Sequence, residues 1–112
     1  MPIDDYLATA PEHERPIAEL LAAHVGALPE AVVEPVSVGL LFKRRSTFAQ
    51  SRTMTRWVAL GITLPRVVGE PTPSRKVQSY PGGHHHVWNL RTAADLDDRL
   101  FDLLDEAYEA NV

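Results

Sequence analysis

The run Trp57-Val-Ala-Leu-Gly-Ile-Thr-Leu64 alternates between two kinds of side chain. Successive residues of a β-strand point to opposite faces of the sheet, so alternate positions share a face. One set is uniformly large and apolar: Val58, Leu60, Ile62 and Leu64. The other set is mostly small: Trp57, Ala59, Gly61 and Thr63. The sequence therefore predicts a half-buried strand that has one face in the core and small side chains on the other.

The segments on either side of this run are also typical of strands. Leu40–Lys43 and Thr47–Gln50 form a predicted pair joined at Arg44-Arg45-Ser46, and residues 31–38 add extended chain before them. A second hairpin is predicted around Pro81-Gly82-Gly83, with residues 75–80 and 84–91 as its strands. The proline-rich stretch 65–74 reads as a loop.

Both ends of the chain have the three-and-four spacing of apolar residues that indicates an amphipathic helix. A short helix is predicted over residues 2–9 and a longer one from Ile17 to Leu28. Thr92 followed by Asp95 resembles a capping box at the start of a C-terminal helix. The predicted apolar face of that helix holds Leu96, Leu100, Leu103, Leu104, Ala107 and Tyr108. This order predicts an α+β two-layer sandwich, an antiparallel β-meander of about five strands with the N-terminal and C-terminal helices packed on one face.

Composition limits the classes of protein that need to be considered. The 112 residues suit a single domain over 1–112, and the absence of cysteine excludes disulfides, thiolate metal sites and cysteine nucleophiles. No apolar run approaches the roughly 20 residues of a membrane span, and the acidic N-terminus is unlike a signal peptide. We therefore expect a cytoplasmic protein that does not contact membranes.

Charge is strongly segregated along the chain. Residues 36–91 contain nine Lys or Arg residues against Glu70 alone, whereas residues 1–35 and 92–112 contain seven acids each against one Arg each. If the acidic helices cover one sheet face, most of the basic side chains fall on the other. Guanidinium forks suit phosphate and carboxylate oxygens, and nearby aromatic rings offer apolar walls. The sequence thus predicts a site for an anionic ligand (a nucleotide, phosphorylated metabolite or nucleic acid) formed by Lys43, Arg44, Arg45, Arg52, Arg56, Trp57, Trp88 and Arg91.

The tripeptide His84-His85-His86 supports an alternative prediction. On a strand, His84 and His86 share a face, and this spacing occurs in metal sites, although such a site needs at least one further ligand. A third prediction is a structural or interaction module that forms a homodimer through its exposed sheet face. No nucleophile, base and orienting group fall at a spacing that indicates catalysis, so we expect a binding protein rather than an enzyme, with no cofactor.

Several short motifs resemble a bacterial family called domain of unknown function 5655. They are Phe42-Lys43-Arg44, Phe48-Ala49, His85-His86-Val87 with Leu90, Asp97-Asp98 and Glu106-Ala107-Tyr108. The resemblance covers residues 15–110, although Pro65–Ser74 and the segment before Leu40 depart from the family pattern. It implies a small cytoplasmic α+β domain, sometimes fused to others, with no established activity. A weaker likeness is to domain of unknown function 1801, some of whose members have been proposed as iron carriers.

Overall fold

The computed structural model describes residues 2–112 and shows helices on one side of a six-stranded antiparallel sheet. The helices are α1 (Ile3–Thr9), α2 (Arg15–Gly26) and α3 (Asp98–Ala110). The strands are β1 (Val32–Val36), β2 (Gly39–Lys43), β3 (Thr47–Thr53), β4 (Val58–Leu64), β5 (Gln78–Tyr80) and β6 (Gly83–Leu90). The predicted α+β class and the two layers are confirmed, with six strands instead of about five.

The strand order β1-β2-β3-β4-β6-β5 departs from a simple meander at its last two strands. Strand β6, not β5, pairs with β4, and β5 pairs with β6. The 65–77 connection is long enough to carry the chain past the position of β6 before β5 begins. This arrangement places β5 at an edge and β4 near the middle of the sheet.

The helix-covered face of the sheet, here called the inner face, forms the core. In the β4–β6 ladder, Leu60 lies opposite Trp88 and Ile62 opposite His86, and these side chains are all buried. The predicted apolar residues of α3 are buried against this face, as are those of α2 at Ile17, Leu21 and Val25. The predicted alternation in residues 57–64 is therefore confirmed.

A register shift between Phe42 and Lys43 changes the alternation at the start of β3. Phe42 is opposite Ala49 while Lys43 is opposite Thr47, which leaves Phe48 as the extra residue of a bulge. Phe48 joins the core beside Tyr108 of α3, with ring centroids 6.0 Å apart. The bulge thus allows two consecutive residues of β3 to be buried.

Capping groups fix the start of α3. Thr92 and Asp95 form the predicted capping box, but on a short 3₁₀ turn over Ala93–Asp95. The α-helix begins later, after Asp97, whose carboxylate accepts hydrogen bonds from the backbone N–H groups of Arg99 and Leu100. None of the helices in residues 2–112 has the length and apolar character that crossing a membrane requires.

Within residues 2–112, no helix covers the opposite face of the sheet, here called the outer face. Ala59 and Val87 are buried there but lie outside the main core cluster. Gln50 and Arg52 of β3 project from the same face, since each lies opposite an outer-face residue of β4. The outer face is where the candidate site lies.

Candidate functional site

A groove of about 210 Å³ crosses the outer face above β4. Its floor includes Ala59 and Gly61, the small residues of the alternating run. Polar side chains from β3, β5, β6 and the segment before β5 surround this floor: Gln50, Arg52, Arg75, Lys76, Gln78 and His85. The groove exists because β4 has small residues where its neighbours have large ones.

Gly61 gives the ring of His85 its position. A Cβ atom at Gly61 would lie 2.8 Å from Cε1 and 2.9 Å from Nε2 of His85, closer than real contacts allow. The imidazole therefore lies across the β4 backbone, and its Nδ1 is 3.3 Å from the Thr63 hydroxyl. The His85 ring therefore lies at the floor of the groove, against β4.

The charge of the groove is positive. Arg52, Arg75 and Lys76 line it, and no carboxylate lies among its lining residues. Within residues 2–112, no Asp or Glu oxygen lies within 4.0 Å of their side-chain nitrogens. Because these cations have no ion-pair partner there, they are available to an anion from solution.

The surroundings of His85 lower its pKa. Partial burial lowers the pKa of His85 below its usual value, and the neighbouring His86 and Arg75 lower it further. Each of these effects disfavours the imidazolium form. An anion bound in the groove would act in the opposite direction, since it would favour a positive charge on the ring.

A second cavity of about 330 Å³ continues the groove along the outer face. The two share Gln50, Gln78 and His85, and the second adds Thr47, Thr63 and the half-exposed ring of Tyr80. The outer face thus offers cations at one end, amides in the middle, and hydroxyls with an aromatic ring at the other.

The structure places the predicted basic turn of β2 and β3 away from the groove. Lys43 Nζ lies 2.9 Å from Glu34. The guanidinium of Arg44 stacks on Tyr108, 4.2 Å from the ring centroid, and donates to its carbonyl oxygen at 3.1 Å. The backbone N–H of Arg45 donates to Asn111 at 2.9 Å, which holds this turn beside the C-terminal end of α3. None of the three residues lines the groove.

The remaining predicted ligand-binding residues also separate. Arg91 lies over Trp57, with its guanidinium carbon 5.3 Å from the ring centroid, and Arg56 is exposed in the β3–β4 turn. Trp88 is 4% exposed and lies on the inner face, where its indole N–H donates to Pro71 at 3.0 Å. Of the eight predicted residues, only Arg52 lines the groove.

The two histidines predicted as metal ligands have other partners. His86 is fully buried; its Nε2 accepts from the Val68 N–H at 2.9 Å and its Nδ1 is 2.9 Å from the His84 carbonyl. A neutral ring with the proton on Nδ1 satisfies both bonds, so a metal at either nitrogen would break one. Nδ1 of His84 lies 2.7 Å from the Ser79 hydroxyl. No group of three or more metal-ligating side chains is found within residues 2–112.

Five of the six polar residues around the groove are not among those that the sequence predicts to bind a ligand: Gln50, Arg75, Lys76, Gln78 and His85. One signal in the sequence pointed to this location. The small residues Ala59 and Gly61 on the second face of a central strand indicate a depression in the sheet surface. Residues that flank such positions on neighbouring strands are the natural candidates for its walls.

Comparison with known proteins gives one match. No curated protein and no solved structure matches the chain. One family model matches residues 3–111, nearly the whole chain, and its description is "Domain of unknown function (DUF5655)". The resemblance that the short motifs suggested is therefore confirmed. This chain belongs to the DUF5655 family.

Proposed function

We propose that the outer-face groove binds a small phosphorylated ligand, a nucleotide or a phosphorylated metabolite. The observation that supports this most directly is the set of three cations, Arg52, Arg75 and Lys76, around one cavity with no carboxylate lining it. Arginine forks bind two phosphate oxygens at once, and lysine adds a mobile positive charge. The ligand class is the anionic one that the sequence predicts, but of the eight residues predicted to bind it only Arg52 lines this groove.

The rest of the groove favours a ligand with a polar body attached to its anion. The amides of Gln50 and Gln78 both donate and accept hydrogen bonds, as recognition of a sugar or a base requires. Tyr80 lies at the end of the adjoining cavity that is further from Arg52. Lys76 and Tyr80 are four positions apart in sequence, which corresponds to roughly 13 Å of extended chain. A nucleotide would place its phosphate near Lys76 and its base towards Tyr80.

The test is a calorimetric titration at low ionic strength with three probes: a nucleoside triphosphate, a sugar phosphate and a single-stranded oligonucleotide. We expect saturable binding of the first or second probe that weakens as salt rises. Tighter binding of the oligonucleotide, with a steep salt dependence, would instead indicate a nucleic-acid surface. Absence of saturable binding by all three would refute the proposal.

Charge-neutralising variants locate the site. Arg52→Gln and Arg75→Gln should each weaken binding about tenfold or more, the usual cost of losing one charged hydrogen bond. Arg66→Gln is the matched control, since Arg66 pairs with Glu106 at 2.8 Å and does not line the groove. Arg91→Gln tests the residue set that the sequence predicts, and we expect it to leave affinity unchanged. A larger loss in the Arg66 or Arg91 variant than in the Arg52 variant would contradict the proposed location.

A further inference from the structure

A separate polar cavity, of about 250 Å³, lies between α1, the start of α2 and the turn that joins β1 to β2. Its polar lining consists of Tyr6, Thr9, Glu14, Ser37 and Thr53, and it also has apolar contributions from Val36 and Val38. It shares no lining residue with the outer-face groove.

Glu14 is the unusual member of this set, because it is a carboxylic acid with only 1% of its surface exposed. The Tyr6 hydroxyl donates a hydrogen bond to its Oε2 atom. Burial, together with this hydrogen bond, raises the pKa of Tyr6 to about 12. The Tyr6 oxygen is also 3.5 Å from the Thr53 hydroxyl, so the three side chains form one connected cluster.

The basic side chains nearest to Glu14 in sequence, Arg15 and His13, contact backbone carbonyl oxygens instead of its carboxylate. The guanidinium of Arg15 donates to the carbonyl oxygens of Leu7 at 3.0 Å and Ala10 at 2.7 Å. His13 Nε2 lies 2.8 Å from the carbonyl oxygen of Met54. Within residues 2–112, no Lys, Arg or His nitrogen lies within 4.0 Å of the Glu14 carboxylate. In the described part of the chain, the buried Glu14 carboxylate thus has the neutral Tyr6 hydroxyl as its partner and no cation. Burying a charge in this way is costly, and a bound cation would reduce that cost.

We propose that this cavity binds a small primary amine through its ammonium group. An ammonium group has three N–H donors and no acceptor. The cavity presents acceptors of the matching kind, namely the Glu14 carboxylate and the oxygens of Ser37 and Thr53. Val36 and Val38 provide an apolar surface for the alkyl part of the ligand. The site is independent of the outer-face groove, and either can fail without the other.

Thermal unfolding in the presence of n-butylammonium chloride tests the proposal. A ligand that binds only the folded state stabilises it by an amount that grows with the logarithm of ligand concentration. We therefore expect the midpoint temperature of unfolding to rise by about 5 °C at ten times the dissociation constant and to continue rising at higher concentrations. Tetramethylammonium chloride and potassium chloride at equal ionic strength are the controls, because neither cation has an N–H donor. An equal rise with all three salts, or no rise with n-butylammonium, would overturn the proposal.

Three variants test whether n-butylammonium stabilises the protein by binding in this cavity. Glu14→Gln removes the charge and keeps the shape, so the rise caused by n-butylammonium should disappear. Glu12→Gln, which changes an exposed neighbour, should behave like the original chain. Ser37→Phe fills the cavity from an exposed turn without altering the Tyr6–Glu14 hydrogen bond, and it should also abolish the effect. A full response to n-butylammonium in the Ser37→Phe variant would refute the site even if the Glu14→Gln chain failed to fold.

Discussion

The inner and outer faces of β4 are formed by alternate residues of one seven-residue strand, yet they differ in side-chain size and in what covers them. Leu60 on the inner face is fully buried under the helices and belongs to the core cluster. Ala59 and Gly61 on the outer face lie beneath an open groove whose lining includes Arg52, Arg75 and Lys76. The difference indicates that the stability of the domain depends on the inner face, whereas the ligand binding that we propose depends on the outer face.

The largest expected effect is loss of core packing on the inner face. Leu60→Ala should lower the free energy of unfolding by roughly 2–5 kcal/mol, because it removes buried methyl groups and leaves a cavity. Gln50→Ala, an exposed outer-face change on the adjacent strand, should alter it by less than about 0.5 kcal/mol. Urea denaturation of both variants measures the difference. Similar losses in the two chains would show that the outer face also carries the fold.

Adjacent histidines provide a sharper version of the comparison. His86→Ala should cost about 2 kcal/mol or more, because it leaves the Val68 N–H without its buried acceptor and removes the ring stacked on Trp88. His85→Ala should have a much smaller effect on stability, since its ring lies in the groove. Denaturant unfolding again provides the measurement. The reverse ranking of the two variants would mean that the assignment of faces in β6 is wrong.

Gly61→Ala separates stability from binding within the groove. The added Cβ would force the His85 ring to move, but the far end of a side chain can move at little cost. We expect the free energy of unfolding to change by less than about 1 kcal/mol, helped by the lower chain entropy of alanine. Affinity for the phosphorylated ligand should fall severalfold, as measured by calorimetry. Unchanged affinity would show that the position of His85 is unimportant for binding.

The smallest expected effect is a pH dependence of stability. The lowered pKa of His85 means that the unfolded chain takes up a proton at this residue first as the solution is acidified. The contribution of His85 is therefore complete above the unfolded pKa of 6.5 and is lost as the pH falls below it. His85→Gln should show a shallower loss of stability on acidification than the original chain. Parallel unfolding profiles for the two chains would contradict this assignment.

Much of the fold could be predicted because its signals are local. The alternation in residues 57–64 identified β4 and its inner face, and the Thr92–Asp95 pair marked the approach to α3. The exchange of β5 and β6 could not be predicted in this way, because the 65–77 segment has no periodic pattern that shows where it leads. Strand order depends on contacts between residues that are distant in sequence.

The candidate site was harder to predict than the fold for a related reason. Charge counting grouped Lys43, Arg44 and Arg52 together, but it could not show which cations the chain's own groups would occupy. Lys43 pairs with Glu34 and Arg44 stacks on Tyr108, whereas Arg52 lines the groove. Alternation correctly placed His84 and His86 on one face, but it could not show that His86 would be buried there with the Val68 N–H as its partner. Tertiary packing decides both which cations pair within the chain and which histidines are buried.

The lack of helices on the outer face has a practical consequence for protein engineering. Side chains such as Gln50, Gln78 and Tyr80 are exposed and lie outside the core cluster, so they are open to replacement without repacking the interior. A combinatorial library at these positions would vary surface chemistry on a constant backbone. The domain is thus a candidate scaffold for selecting new binding specificities by display methods.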